Sequence, residues 1–204
     1  MSGDVRQFAP SAARNRDPIW AVLRPELPAR GLVLEVASGS GEHTAHFARL
    51  AGSQIAFQPS DPDAQARASI DAWAATAGLS NILPALALDA AADAWPIARA
   101  DVVVCINMIH IAPWASTVGL VRGAARVLPP GGLLFLYGPY RREGRHTAPS
   151  NAAFDADLRR RHPTWGVRDL EAVADLATAA GFTPPAIVEM PANNLCVHFR
   201  CAAT

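Results

Sequence analysis

The 204-residue chain predicts an α/β domain: a mostly parallel sheet with helices on both faces, closed by an antiparallel last strand. Three observations predict it. Apolar β-type runs alternate with helical patterns through most of the chain. The runs are nearly continuous in apolar residues, as strands buried on both faces are. Near the C-terminus two runs are joined by "PAN", too short for a crossover helix, so they pair as an antiparallel hairpin.

The elements follow in order. "SAARNRDPIW" is polar and then reads as helical from Pro18. The strand candidates are "GLVLEVA" (31–37), "QIAFQPS" (54–60), "NILPALAL" (81–88), "DVVVCIN" (101–107) and "GLLFLYG" (132–138). Helix candidates are "EHTAHFARLAG" (42–52), "PDAQARASIDAWAATAG" (62–78) and "PWASTVGLVRGAARVL" (113–128). In the last, Val118, Val121, Ala125 and Leu128 share a face. Residues 139–167 are an insertion after the fifth strand, read as a polar loop and a short helix. "RDLEAVADLATAAGF" (168–182) is an amphipathic helix with Gly181 placed to stop it. The hairpin strands are "PPAIVEM" (184–190) and "NLCVHFRC" (194–201). No repeat or linker divides the chain, so residues 1–204 read as one domain.

The bulk numbers exclude some functions. Half of the residues are hydrophobic and the formal net charge is zero. A neutral chain has no broad basic face for nucleic acid. Cys105, Cys196 and Cys201 lack metal-ligand spacing and suggest neither a disulfide framework nor a zinc site. The first residues lack the apolar core of a signal peptide, and no run is long enough to span a membrane, so a cytoplasmic setting is the expectation. Oligomeric state is not readable.

The stretch "EVASGSGEH" (35–43) leaves a buried strand through a glycine-rich turn and opens a helix. Such a turn lets a ligand approach the backbone and aims free N–H groups at it. A dinucleotide fingerprint needs glycine or alanine where Thr44 stands. The acidic-x-small-x-G-x-G spacing of S-adenosylmethionine sites is met by Glu35, Ala37, Gly39 and Gly41, with Ser38 inside the turn. A plain strand-to-helix turn is the competing reading. Asp61, about twenty residues after Gly41, is placed to accept hydrogen bonds from both ribose hydroxyls, or to cap the next helix. Asp89 either meets the adenine amino group or belongs to a turn.

Seven blocks, "EVASGSGEH", "FQPSDPD", "VCINMIHIAPW", "PPGGLLFLYGPYR", "HTAPSNAAFD", "WGVRDLE" and "MPANN", resemble a methyltransferase-like family of small single-domain proteins. The resemblance covers nearly the whole chain from "FAPSAARNRDPI" onward. It implies a Rossmann-like, seven-stranded sheet of the class I S-adenosylmethionine-dependent methyltransferases. It implies S-adenosylmethionine as cofactor and leaves the substrate open.

The remaining candidates are weighed on that expectation. Asn107 and Met108 emerge at the pocket edge after the fourth strand and shape the cofactor site. His110 is a general base or a packed, capping histidine. Tyr140 is a second catalytic candidate. Tyr140, Arg141, His146, Asn193 and Asn194 form a candidate substrate wall for a small polar acceptor, with Asn193 and Asn194 alternatively serving the hairpin turn. Residues 1–30 are a lid and helix, in which Arg14 and Asn15 either meet the cofactor or belong to a free tail.

Overall fold

The computed structural model describes residues 4–202. Six strands form the main sheet, in the order β2-β1-β3-β4-β9-β8. Strands β1 (Gly31–Val36), β2 (Ile55–Ser60), β3 (Val102–Ile106) and β4 (Leu133–Gly138) are parallel. β9 (Asn194–Arg200) lies antiparallel between β4 and the edge strand β8 (Ala186–Met190). The predicted hairpin is therefore present. Its turn, Pro191–Asn193, places Ala192 and Asn193 at positive φ.

Alternate residues of the central strands feed two apolar layers. Leu34, Val36, Val103, Cys105, Leu134 and Leu136 pack with α4 (Trp114–Val127) and α6 (Leu170–Ala179). Val33, Val104, Ile106, Phe135 and Cys196 pack with α1 (Pro10–Leu23) and α2 (Glu42–Ala51). α3 (Ala64–Ala77) packs beside α2. The buried face of α4 carries Thr117, Leu120, Val121, Ala124 and Val127. It is rotated from the predicted one: Val118 and Ala125 are only half-buried. Leu170, Val173 and Ala177 are buried on α6, Leu176 on the same face is half-buried, and Gly181 follows its last turn at φ 92.

The expected seventh strand, 81–88, is a correction. The segment runs beside β2 but pairs only at Phe57–Ile82 and Ser60–Leu86. Pro84, between those bridges, has no N–H to continue a ladder. Its carbonyl instead accepts from the Gln58 side chain at 2.7 Å. The Asn81 amide donates to the carbonyls of Ala48, Gly52 and Ile55, anchoring the segment without regular pairing.

Two further expectations change. α1 begins at Pro10, not Pro18, so the polar "SAARNRD" is helical; proline suits a first helical turn. The insertion holds a hairpin, β5 (Tyr140–Arg142) and β6 (Arg145–His146), in place of a loop. With β7 (Arg168–Asp169) it forms a small second sheet, and α5 (Pro149–Arg161) packs beside it. Among the described residues no helix is long and apolar enough to cross a membrane. Residues 1–3 of the expected lid lie outside the described residues.

Candidate functional site

β1 ends at Val36, and the chain turns through Ala37 at φ 57 and Gly39 at φ 57 before α2 starts. This left-handed backbone suits glycine and is uncommon for alanine. The turn borders a cavity of about 260 Å³ at the C-terminal ends of β1 and β3. Glu35, Ala37, Ser38, Gly39, Asn107 and Met108 line it, as the sequence reading expects. A Cβ built on Gly39 meets nothing within 4 Å, so the glycine leaves open space beside the backbone. Gly41 has a different task. A Cβ there would stand 2.7 Å from the Ile70 backbone, so Gly41 lets the turn close on α3 and does not line the cavity.

Glu35 is almost wholly buried and accepts a short hydrogen bond from the Thr44 hydroxyl. Burial pushes its carboxyl up to about 7, against the pull of Thr44 and Ser38. Thr44, which breaks the dinucleotide pattern, is thus the partner of the acidic residue in the turn.

Asp61 sits at the end of β2 and reaches back to the turn. One carboxylate oxygen accepts from the Gly39 N–H at 3.1 Å, the other from the Asp63 N–H at 3.0 Å. Burial raises its pKa, and the two backbone donors oppose the rise. It does not cap α3. That role belongs to Asp63, whose side chain accepts from the N–H groups of Gln65 and Ala66. Asp89 is exposed and accepts from the Ala91 N–H at 2.9 Å, in a turn.

The N-terminal segment crosses the cavity rim, and Ala9, Ser11 and Ala12 join the lining. Hydrogen bonds hold it there: the Ala9 N–H donates to Glu42 at 2.6 Å, the Gln7 N–H to Ser69 at 2.7 Å, and the Trp73 indole to the Gln7 carbonyl at 3.0 Å. Asn15 faces inward to His43 at 2.8 Å, whereas Arg14 is exposed. His43, Ser40, Ile106 and Ile111 line the cavity and were not among the sequence candidates. His43 and Ser40 lie within or beside the quoted turn, so their position was a usable signal; the two isoleucines gave none.

The substrate wall is placed differently from the expectation. Tyr140 is fully buried in the α4–α6 layer, and its hydroxyl has no partner among the described residues. Burial pushes its pKa above the ordinary tyrosine value. His110 is also fully buried, 3.2 Å from the Asn107 carbonyl oxygen and edge-on to Phe154. Burial pulls it down to about 3, and it is not part of the cavity wall. Arg141 pairs with Asp169 at 2.7 Å, and His146 stands 3.6 Å from Asp155. Asn193 donates to Ser150 and Asn194 to the carbonyls of its own turn, the bland reading of both. These side chains serve the insertion and the hairpin; burial removes Tyr140 and His110 from the cavity, and local partners engage the rest. Replacing Tyr140 by phenylalanine is accordingly expected to leave stability unchanged or raise it by about 1–3 kcal/mol, because an unsatisfied buried hydroxyl is removed. Chemical denaturation of both proteins checks this; a large loss would mean that the hydroxyl has a partner.

Solved structures of the same fold cover nearly the whole chain. An O-methyltransferase family protein from Burkholderia thailandensis superposes with a TM-score of 0.80 at 18% identity, over 95% of this chain and 58% of that one. Human N-acetylserotonin methyltransferase, in complex with SAM, gives 0.77 at 15% identity, over 95% and 53%. CalO1, a methyltransferase in calicheamicin biosynthesis in its SAH-bound form, gives 0.75 at 22% identity, over 94% and 54%. The chain thus spans little more than half the length of each. These likenesses show a shared fold, and in this chain the irregular 81–88 segment runs beside the β2 edge of the six-stranded sheet. Residues 6–201 match the family described as protein of unknown function (DUF938), and the chain belongs to that family.

Proposed function

We propose that the protein binds S-adenosylmethionine and transfers its methyl group to a small polar molecule. One observation carries the reading: the glycine turn after β1, with buried Glu35 at its base and Asp61 bonded to Gly39, opens onto a cavity roofed by the N-terminal segment. The donor set fits the group. Gly39 leaves room against the backbone, and Asp61 keeps lone pairs for two ribose hydroxyls. Asn107 and Met108 border the cavity from β3, and Asp89 is the remaining candidate for the adenine edge.

S-adenosylmethionine supplies an activated methyl group when bound, so the protein has to bind, align and exclude water. Alignment alone is worth about 7 kcal/mol in favourable cases. Ala9, Ser11 and Ala12 line the cavity from the N-terminal segment, and Ile106, Met108 and Ile111 give it apolar walls. The acceptor reading shifts with the structure: no arginine lines the cavity, and Arg141 is neutralised by Asp169, which favours an uncharged polar acceptor over an anion. We place the protein in the cytoplasm, without a nucleic-acid or membrane partner.

A second reading is a protein of this fold that holds the cofactor without transfer. The burial of Tyr140 and His110, and the engagement of Asn193 with Ser150 of α5 and of Asn194 in its own turn, favour it.

Calorimetric titration tests the first reading. Both S-adenosylmethionine and S-adenosylhomocysteine should bind, and NAD should not; tight NAD binding without response to the adenosyl ligands overturns it. Turnover separates it from the second. Asp61→Ala should weaken S-adenosylhomocysteine binding by about 1–3 kcal/mol through lost hydrogen bonds. Undiminished affinity would confine Asp61 to holding the turn.

A further inference from the structure

We propose that His43, fixed in place by Asn15, is the catalytic group that takes the proton from the methyl acceptor. The inference rests on the methyltransferase reading above and adds a residue to it.

Position is the first argument. His43 lies in the first turn of α2 and lines the cavity beside Ser11 and Ala12. Its Nε2 meets the Asn15 carbonyl oxygen at 2.8 Å. An amide oxygen only accepts, so Nε2 carries the proton and Nδ1 keeps its lone pair. Among the described residues Nδ1 makes no hydrogen bond, although the ring as a whole is 8% exposed. The ring is further held by Phe47, 5.6 Å away. A histidine with one nitrogen oriented by a fixed acceptor and the other bare is arranged as a base.

Direction is the second argument. Asn15 also acts on the phenol of Tyr137, near the end of β4, where it opposes the rise that burial gives the Tyr137 pKa. From the glycine turn, the polar groups His43, Asn15 and Tyr137 thus point toward β4 and away from β2, where Asp61 stands at the proposed ribose side. An acceptor reaching the methyl group must come from the side that Asp61 does not hold.

Charge is consistent. Burial, with Arg16 on α1 and His46 on α2, draws the His43 ring down to about 4, so it is neutral and ready to accept at ordinary pH. A weak base suffices for a hydroxyl acceptor. As the acceptor oxygen forms its bond to the methyl carbon, the carbon–sulfur bond breaks and its electron pair stays on sulfur, which becomes a neutral thioether. The oxygen is then a strongly acidic oxonium, and its proton passes to His43 Nδ1. The resulting imidazolium returns that proton to solvent when the site opens.

Imidazole ¹⁵N NMR of the whole chain tests the proposal, without ligand and saturated with S-adenosylhomocysteine or S-adenosylmethionine. The two ligands differ only in the methyl group and its charge. The His43 signal is identified by its loss in His43→Gln or, should that variant not fold, by its selective change in Asn15→Ala. The free protein should show Nε2–H and a bare Nδ1, and Asn15→Ala should mix the two tautomers. The Nδ1 resonance should then differ between the two complexes, while the other five histidines stay alike. Identical Nδ1 shifts in both complexes, or an Nδ1–H tautomer in the free protein, overturn the proposal and leave cofactor binding standing. Failure of both ligands to bind removes the methyltransferase reading, and this inference with it.

Discussion

Replacing Gly39 by valine is expected to abolish binding of S-adenosylhomocysteine, a loss of more than about 100-fold, with the fold retained. Two effects add. At φ 57 a side chain meets the steric cost of left-handed backbone, about 1–2 kcal/mol. The larger effect is spatial. The built Cβ touches nothing within 4 Å, so the valine branches stand in open space where the ligand must approach the turn. Circular dichroism should show an intact protein and calorimetry a silent one. Retained affinity would show that the ligand does not approach Gly39. Gly41→Ala should behave in the opposite way: its Cβ collides with the Ile70 backbone, so it should lose stability first.

Acid should destabilise the protein strongly. His43 and His110 are held below their ordinary 6.5 by burial, at about 4 and about 3. Their contribution is fully present above 6.5 and is lost as the pH falls, because the unfolded chain takes up protons that the folded one refuses. Each costs about 1.4 kcal/mol per pH unit in that window. Glu35 acts with the opposite sign. Its folded pKa is raised from 4.5 to about 7, so falling pH favours the folded state between those values. The net expectation is a loss of about 3 kcal/mol between pH 6.5 and 4.5. Urea denaturation across that range checks it. Glu35→Gln should steepen the profile and His110→Phe should flatten it. A profile unchanged by His110→Phe would mean that the ring is solvated in the folded protein.

Local patterns carried the legible part of both fold and site. β1, β3 and β4 are buried on both faces, so each reads as an apolar run whatever its neighbours. The 81–88 segment has the same composition, yet Pro84 denies it a ladder, and composition cannot weigh one missing N–H against a run of leucines. The glycine turn was legible because its requirements lie within seven residues, from Glu35 to Gly41. Tyr140 and His110 were not, because the same residue types serve as catalysts or as packing. Only the insertion closing over them decides which. The capping role that the sequence left open for Asp61 belongs to Asp63, while Asp61 holds the Gly39 N–H.

The strap from Gln7 to Ala9 is tied to α2 and α3 largely through hydrogen bonds to side chains, with Phe8 resting edge-on against Trp73. Such ties open locally at a fraction of the cost of global unfolding. A molecule bound in the cavity would lie against the end of this strap, at Ala9. Strap opening is therefore expected to speed exchange in both directions, which would change residence time more than affinity. Shortening the chain to begin at Pro10 keeps α1 whole and should speed dissociation of S-adenosylhomocysteine in stopped-flow measurements, whereas a cut at residue 16 would divide the helix. In that sense the segment is expected to act as a clock for whatever the cavity holds.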